Sequence, residues 1–409
     1  MKKTFVGFGF GAIQGGLMLY EAYQSGNFDR FVVAEVMPDV VKAVREGGGL
    51  YRVNVAYADG IKSFEIRGIE ILNPTVESDR QALIEAVAGA DELATALPSV
   101  KFFGQGEPGS VVDLLCAGFK ARLKRGDRRR SVIYTAENHN HAAEILEAVL
   151  ARLLGAEAKA IFEQVQCLNT VIGKMSGVVT DEAQIASQGL TRMTGQAGRS
   201  LLVEAFNRIL ITRIRWPDFA RGIPVFEEKN DLLPFEEAKL YGHNATHALI
   251  GYLARLAGAR YMADVRNDTA LLRLAREAFL EESGRALCAK HRGVDPLFTE
   301  SGYTAYADDL LVRMMNPHLQ DAVDRVTRDP RRKLGWDDRL VGTLRLALTY
   351  GIDPVRYARG ARAALQMLKE TEKLPAQSDE ALLNAVWADA KACEVDRRRI
   401  AMLIIKSGG

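Results

Sequence analysis

The chain has 409 residues, with 54 Lys and Arg against 52 Asp and Glu, a formal charge of +2, 48% hydrophobic residues and 26% charged ones. This balance belongs to a soluble globular protein. It excludes a collagen, a disordered tail and a disulfide scaffold, and it argues against a nucleic-acid binder, which needs a basic excess to neutralise phosphates. Taken in chain order, Thr4 to Phe8 is a short apolar run that stops in glycine, and a helix is expected over 12–24. Arg30 to Val36 reads as a second buried strand, followed by a helix over 38–46 that ends in Gly47, Gly48 and Gly49. Leu93 to Leu97 and Ser131 to Ala136 read as further strands, with helices over 111–123 and 141–154. Residues 201–216 alternate enough to be strand. Beyond Phe235 the pattern becomes helical, over 236–257, 268–288, 304–315, 319–327, 337–348, 354–368 and 379–392, with Pro and Gly as punctuation.

The alternation in the first part predicts an α/β class: an N-terminal Rossmann-type, doubly wound parallel sheet domain over 1–215 and a mainly α-helical C-terminal domain over 216–409. Single cores stop growing at roughly 250–300 residues, so two domains suit the length. The four cysteines, Cys116, Cys167, Cys288 and Cys393, are scattered outside zinc or redox spacings. No segment reads as a signal peptide, and no run reaches the ~18 apolar residues needed to span a bilayer, so the expectation is a reduced, cytoplasmic protein without a membrane partner. Arg128, Arg129 and Arg130 precede a strand and read as a solvated turn.

The first strand runs into Gly7-Phe8-Gly9-Phe10-Gly11-Ala12-Ile13-Gln14. Gly7, Gly9 and Ala12 satisfy a dinucleotide fingerprint with the permitted alanine ending. Gly7 allows the tight turn, and Gly9 lets the backbone approach a pyrophosphate. The helix beyond offers free N–H groups and a partial positive charge. Glu35 closes the second strand, where a carboxylate accepts from ribose hydroxyls and repels a 2′-phosphate. NAD is therefore the expected cofactor, contacted by Gly7, Gly9, Gly11, Ala12, Ile13 and Glu35, and by Ala96 and Glu137 after later strands.

The segment Lys239-Leu240-Tyr241-Gly242-His243-Asn244-Ala245-Thr246-His247 concentrates polar groups at the start of the second domain. At ~100° per residue, Lys239, His243, Asn244 and His247 fall within an arc of roughly 140° on an α-helix. A buried Lys239 suits a general base, and Asn244 a donor to an oxygen gaining negative charge. A solvated helix face is the bland alternative. A metal held by His243 and His247 is disfavoured, because no glutamate follows in the metalloprotease pattern.

The pattern Lys239-x₄-Asn244-x₂-His247 resembles that of the polyol-specific long-chain dehydrogenases, the family of mannitol dehydrogenase and mannitol-1-phosphate 5-dehydrogenase. Thr135-Ala136-Glu137-Asn138, Glu282-Ser283-Gly284, Asn316-Pro317, residues 325–334, Asp338-Arg339-Leu340 and Leu348-Thr349-Tyr350-Gly351 fall in the family's order. The resemblance implies that Lys239 is the general base, that Asn138 and Asn244 polarise the substrate oxygen, and that His247 orients a neighbouring hydroxyl. It implies that Arg325 and Lys333 contact the polyol or its phosphate, with no metal needed and a monomer or weak homo-oligomer as the assembly. His243 would also reach the substrate, since it stands where the family has a leucine-like residue. Gly173 replaces an aspartate expected to touch substrate, and Gln14 an arginine of the glycine loop. The small-molecule partner is thus a polyol or polyol phosphate, and the five basic residues between Arg325 and Lys333 tilt the reading toward phosphate.

Two other readings stand beside this one. A β-hydroxyacid dehydrogenase would carry Lys-x₃-Asn, but His243 occupies that place. A catalytically inactive NAD-binding relative is the non-enzyme reading, raised by Gly173. A short-chain dehydrogenase would need Tyr-x-x-x-Lys, which the chain lacks.

Overall fold

Eight strands of a computed structural model form the larger of two sheets in the first part of the chain. The structure describes residues 3–195, 197–206, 208–372 and 378–407. The strands are β1 (Lys3–Phe8), β2 (Phe28–Ala34), β3 (Tyr51–Ala56), β4 (Ile61–Ile66), β5 (Ile69–Leu72), β6 (Glu92–Thr95), β7 (Ser131–Thr135), β8 (Val165–Val171), β9 (Ser176–Val179), β10 (Ser200–Glu204), β11 (Ile209–Thr212) and β12 (Phe226–Lys229). The large sheet runs β12-β11-β8-β7-β6-β1-β2-β5. It is parallel from β8 to β5, and β11 pairs antiparallel with β8. From β5 to β8 this is the doubly wound order, with its switch point at β1. Both faces are covered, which is why β2 and β7 read as continuous apolar runs rather than alternating ones.

A second, four-stranded sheet in the order β4-β3-β10-β9 was not expected from sequence. The expected strand over 201–216 is in fact two, and they join different sheets: β10 pairs with β3 and β9, β11 with β8 and β12. The helix after the glycine loop packs on this small sheet. It opens with a π-helical segment, Gln14–Met18, before Leu19–Ser25. Gly16 lies so close that a Cβ there would sit 2.4 Å from Val203 Cγ1.

The chain divides into two units, Met1–Leu232 and Leu233–Gly409. The first runs beyond residue 215 because β12 completes the large sheet and because Glu92 holds the crossing segment. The buried Glu92 carboxylate accepts from Gly222 N and from Tyr134 Oη (2.9 Å), and Asn27 Nδ2 donates to the Gly222 carbonyl (2.8 Å).

The second unit is helical, with Ala245–Leu256 and Val355–Glu372 packed together in its core. The helix expected over 319–327 is reduced to a 3₁₀ turn, Pro317–Leu319, and a short helix, Val323–Thr327, because Gln320 turns left-handed at φ 44°. The helix expected over 379–392 ends at Val386, and another, Glu394–Lys406, starts under the Cys393 cap. No helix among the described residues is long and apolar enough to cross a membrane.

Gly16→Val should destabilise the first unit by about 1–3 kcal/mol through overpacking against Val203, read as a lower midpoint in thermal unfolding followed by the β-rich circular dichroism. An unchanged midpoint would show that β10 yields to the added side chain.

Candidate functional site

In the first unit the expected nucleotide contacts gather at the C-terminal ends of β1, β2, β6 and β7. Gly9 has φ +83°, and a Cβ there would lie 2.9 Å from the Ala96 carbonyl oxygen, so both conformation and space demand glycine. Above Gly11 there is open space instead. Gly11, Ala12 and Ile13 lead into the helix, whose first turn returns the Gly15 N–H to the Gly11 carbonyl (2.8 Å). The cradle therefore lets backbone come close to a pyrophosphate at a helix N-terminus. Gln14 is fully buried against Gly7, and its side-chain nitrogen and oxygen have no partner among the described residues. An orphaned amide under the glycine loop fits a site whose polar ligand completes it.

Glu35 is buried just past β2, and its Oε1 accepts from Met37 N (2.8 Å), which fixes the carboxylate at the turn. Glu137, also expected as a cofactor contact, is buried just past β7. Its Oε2 accepts from Thr95 Oγ1 and its Oε1 from Leu97 N (both 2.9 Å), so it clamps the loop carrying Ala96. Burial raises its carboxyl above the usual range, with the Leu97 and Thr95 bonds opposing. The neighbouring Asn138 side chain is exposed.

In the second unit Lys239, His243, Asn244 and His247 lie on one continuous helix, but not with the winding that the sequence led us to expect. Leu233–Glu237 passes into a π-helical segment, Ala238–Asn244, before α-helix resumes at Ala245–Leu256. In π winding the hydrogen bonds run i→i+5 and the turn is wider. Lys239 and Asn244, five apart, thus lie nearer the same face than the roughly 140° separation that α winding would give. Gly242 sits inside the wide turn, where a Cβ would lie 2.5 Å from Tyr303 Oη and 2.7 Å from Phe279 Cε2. Helix Val341–Thr349 packs on the same segment: Gly342 abuts the Tyr241 ring, and Thr343 Oγ1, which donates to the Arg339 carbonyl (2.5 Å), lies 3.2 Å from the Tyr241 carbonyl.

Lys239 is half-buried, and desolvation pushes its pKa down to about 8, with Arg339 adding and Glu236 opposing. His243 is buried, and desolvation holds its imidazole well below the usual range, reinforced by His247, Arg313, Lys239 and Arg339. A neutral His243 ring stands edge-on to His247 at 6.4 Å between centroids. His247 Nε2 meets Asp321 Oδ2 at 2.8 Å, and Asp321 Oδ1 accepts from Arg325 Nε (2.9 Å) and Nη2 (2.5 Å).

Arg325 is therefore drawn to His247 through Asp321. Lys333 is buried, its Nζ donating to the Arg328 carbonyl. Desolvation, then Arg339 and Arg332, push its pKa down to about 8. Within the basic run, Arg331 pairs with Glu372 (2.5 Å) and Arg332 with Asp329 (2.9 Å). Among the described residues no group of three or more His, Cys, Asp or Glu is placed to hold a metal ion.

Sequence reasoning missed Asp321 and Arg339 as site residues. Asp321 had a signal, since it stands four residues before Arg325 on the helical spacing that lets opposite charges meet. Arg339 lay in a motif already recognised, but its influence on Lys239, His243 and Lys333 depends on packing.

A family model described as the mannitol dehydrogenase Rossmann domain matches residues 3–213, and one described as the mannitol dehydrogenase C-terminal domain matches residues 231–397. The mannitol-1-phosphate 5-dehydrogenase of Bacillus licheniformis is 29% identical over 339 residues, which cover 82% of this chain and 80% of that one. Among solved structures, D-sorbitol dehydrogenase in substrate-free form superposes with a TM-score of 0.78 at 15% identity, over 99% of this chain and 92% of that one. The Pseudomonas fluorescens mannitol 2-dehydrogenase, solved as a ternary complex with NAD and D-mannitol, gives 0.72 at 16% identity, over 100% and 91%. At these identities the two structures speak for the fold alone.

Lys239 and Lys333 exchange ammonium for amine at about pH 8. Acylation of these two lysines, followed by peptide mass spectrometry, should rise with pH and level off above about 8, whereas a free lysine derivative keeps rising toward the ordinary lysine range of about 10.4. Profiles coincident with that of the free derivative would show that burial does not depress the two amines.

Proposed function

The chain belongs to the mannitol dehydrogenase family, and on that footing we propose that it is an NAD-dependent oxidoreductase interconverting a sugar alcohol, or a sugar-alcohol phosphate, with its ketose by direct hydride transfer. The observation that carries the proposal is Lys239 on the π turn, desolvated so that its pKa is about 8, with Asn244 at the end of the same turn. An amine tuned near neutrality can take a proton from an alcohol in one direction and return it in the other. Lys239 is the general base in this reading. Asn244 and Asn138 donate their amide N–H groups to the substrate oxygen as it gains negative charge. His247 orients the adjoining hydroxyl, and the neutral His243 and the buried Lys333 line the substrate's path. Arg325 is carried over from the family resemblance as a substrate contact, although its Asp321 partner engages two of its donors.

Hydride acceptance is the chemistry that bound nicotinamide supplies. Gly7, Gly9, Gly11, Ala12 and Ile13 would hold the pyrophosphate, which the cradle at Gly9 supports. Glu35 would take the ribose hydroxyls, and its negative charge favours NAD over NADP. Ala96 would line the nucleotide, on a loop clamped by Glu137. No metal enters this scheme.

A phosphorylated substrate is the second reading. It is favoured by the basic run from Arg325 to Lys333 and by the name of the Bacillus relative. Comparing kcat/KM for mannitol, sorbitol and their phosphates, with NAD and with NADP, separates the two. A preference of tenfold or more for the phosphate esters selects the second.

Lys239→Ala should lower kcat by about 10²-fold or more while the NAD dissociation constant, followed by protein fluorescence, stays within about twofold. Wild-type turnover in that variant would sink the mechanism. In the native enzyme the rate of alcohol oxidation should rise with pH through about 8, because only the deprotonated amine accepts a proton. Glu35→Ser should weaken NAD and narrow the NAD-to-NADP ratio of kcat/KM, and an unchanged ratio would remove Glu35 from the ribose site.

A further inference from the structure

Building on the reading that His247 orients a substrate hydroxyl, we propose that Asp321 and Arg325 form a positioning pair that sets the tautomer of His247. The pair would keep the proton on Nε2 and leave the Nδ1 lone pair for the substrate. The two carboxylate oxygens have separate tasks. Oδ2 faces His247 Nε2 at 2.8 Å, while Oδ1 receives both Nε (2.9 Å) and Nη2 (2.5 Å) of Arg325. The His247 and Arg325 contacts hold the Asp321 carboxyl below the usual range against the burial that opposes them. It is thus an ionised, acceptor-only group, and the ring nitrogen facing it must carry a hydrogen. In the neutral ring Nδ1 is then the acceptor, the form needed to receive a hydrogen bond from an alcohol hydroxyl.

The carboxylate is fixed from behind. The Asp321 carbonyl accepts from Met262 N (2.8 Å), Ala322 bridges Tyr261, and Val323 N donates to the Arg260 carbonyl (2.9 Å). Asp321 is buried, while the Arg325 side chain is half exposed, so Arg325 reaches inward to it. Arg325 acts here through Asp321, as a positioning residue, because two of its donors are spent on Oδ1.

The division of oxygens yields a test. In Asp321→Asn, Arg325 keeps the amide oxygen, since only an acceptor can sit opposite its two N–H groups. The amide NH₂ must then face His247, where it requires a lone pair on Nε2 and drives the proton to Nδ1. Correlation spectra of isotope-labelled histidine nitrogens, with His247→Ala identifying the resonance, should show Nε2–H in the native protein and Nδ1–H in D321N. Turnover is the second readout: kcat/KM for the polyol should fall about 10- to 100-fold in D321N, the scale for losing a group that orients a histidine, with NAD affinity unchanged.

Adding Arg325→Met to D321N frees the amide to turn over, so the Nε2–H signature should return in the double variant. D321A, which removes the acceptor altogether, should populate both tautomers and serves if D321N does not fold. Retention of Nε2–H in D321N, or an R325M change without effect in the D321N background, overturns the proposal. A tautomer switch with unchanged kcat/KM upholds the positioning pair and instead removes His247 from the substrate, so the two failures are distinct.

Discussion

The wide turn at Ala238–Asn244 is the constraint on which the chemistry of the helical unit rests. Its wider winding brings Lys239 and Asn244 toward one face, and the return to α winding at Ala245 places His247 three residues on, on the neighbouring part of that face. Such a turn persists only where the packing around it determines it. Here Gly242 meets Tyr303 and Phe279 at distances no side chain would allow, and Gly342 abuts the Tyr241 ring. A second π segment, Ala278–Gly284, brings Phe279 to that contact. Side chains on a rigid helix hold their separation more closely than they would on a loop.

Buried polar bonds stiffen the frame behind this turn. Thr246 Oγ1 and Tyr357 Oη share a hydrogen bond of 2.6 Å, and Tyr357 also meets Ser283 Oγ at 3.2 Å. The Glu282 carboxylate accepts from Arg356 N (2.9 Å) and Tyr357 N (3.0 Å), at the start of the helix Val355–Glu372. Three segments, 245–256, 278–284 and 355–372, are locked by groups that would be costly to leave unpaired. On the neighbouring segment, burial desolvates Lys239 and lowers its pKa.

Arg339 adds the electrostatic side. Its guanidinium is tied to Asp338 at 2.8 Å, and it disfavours charge on Lys239, His243 and Lys333 alike. Three basic side chains are thereby biased toward their neutral forms, while Asp321 stays ionised beside His247. Groups whose surroundings push their protonation apart are what proton transfer to and from a substrate oxygen requires.

Much of this was legible in the residues themselves. The glycine loop between a strand and a helix, with an acid after the next strand, is a local pattern, and the backbone that it implies forms at Gly9 and Glu35. The alternation of strand and helix, the helical second half and the spacing of Lys239, Asn244 and His247 are local too, since periodicity records which face of an element is buried. The small sheet was not legible: its strands are short, and β10 pairs with β3 across well over a hundred residues of chain. Nor was the winding at Lys239, because α periodicity is the default for any helical run and the contacts of this turn with Tyr303, Phe279 and Gly342 come from distant parts of the chain. The partner of His247 lies 74 residues away, and the commitment of Arg325 to that partner follows from it. Sequence alone thus determined which residues are chemically able and which element carries each. Tertiary packing decided their protonation, their partners and their line of sight, because desolvation and ion pairing depend on neighbours that the chain order does not adjoin.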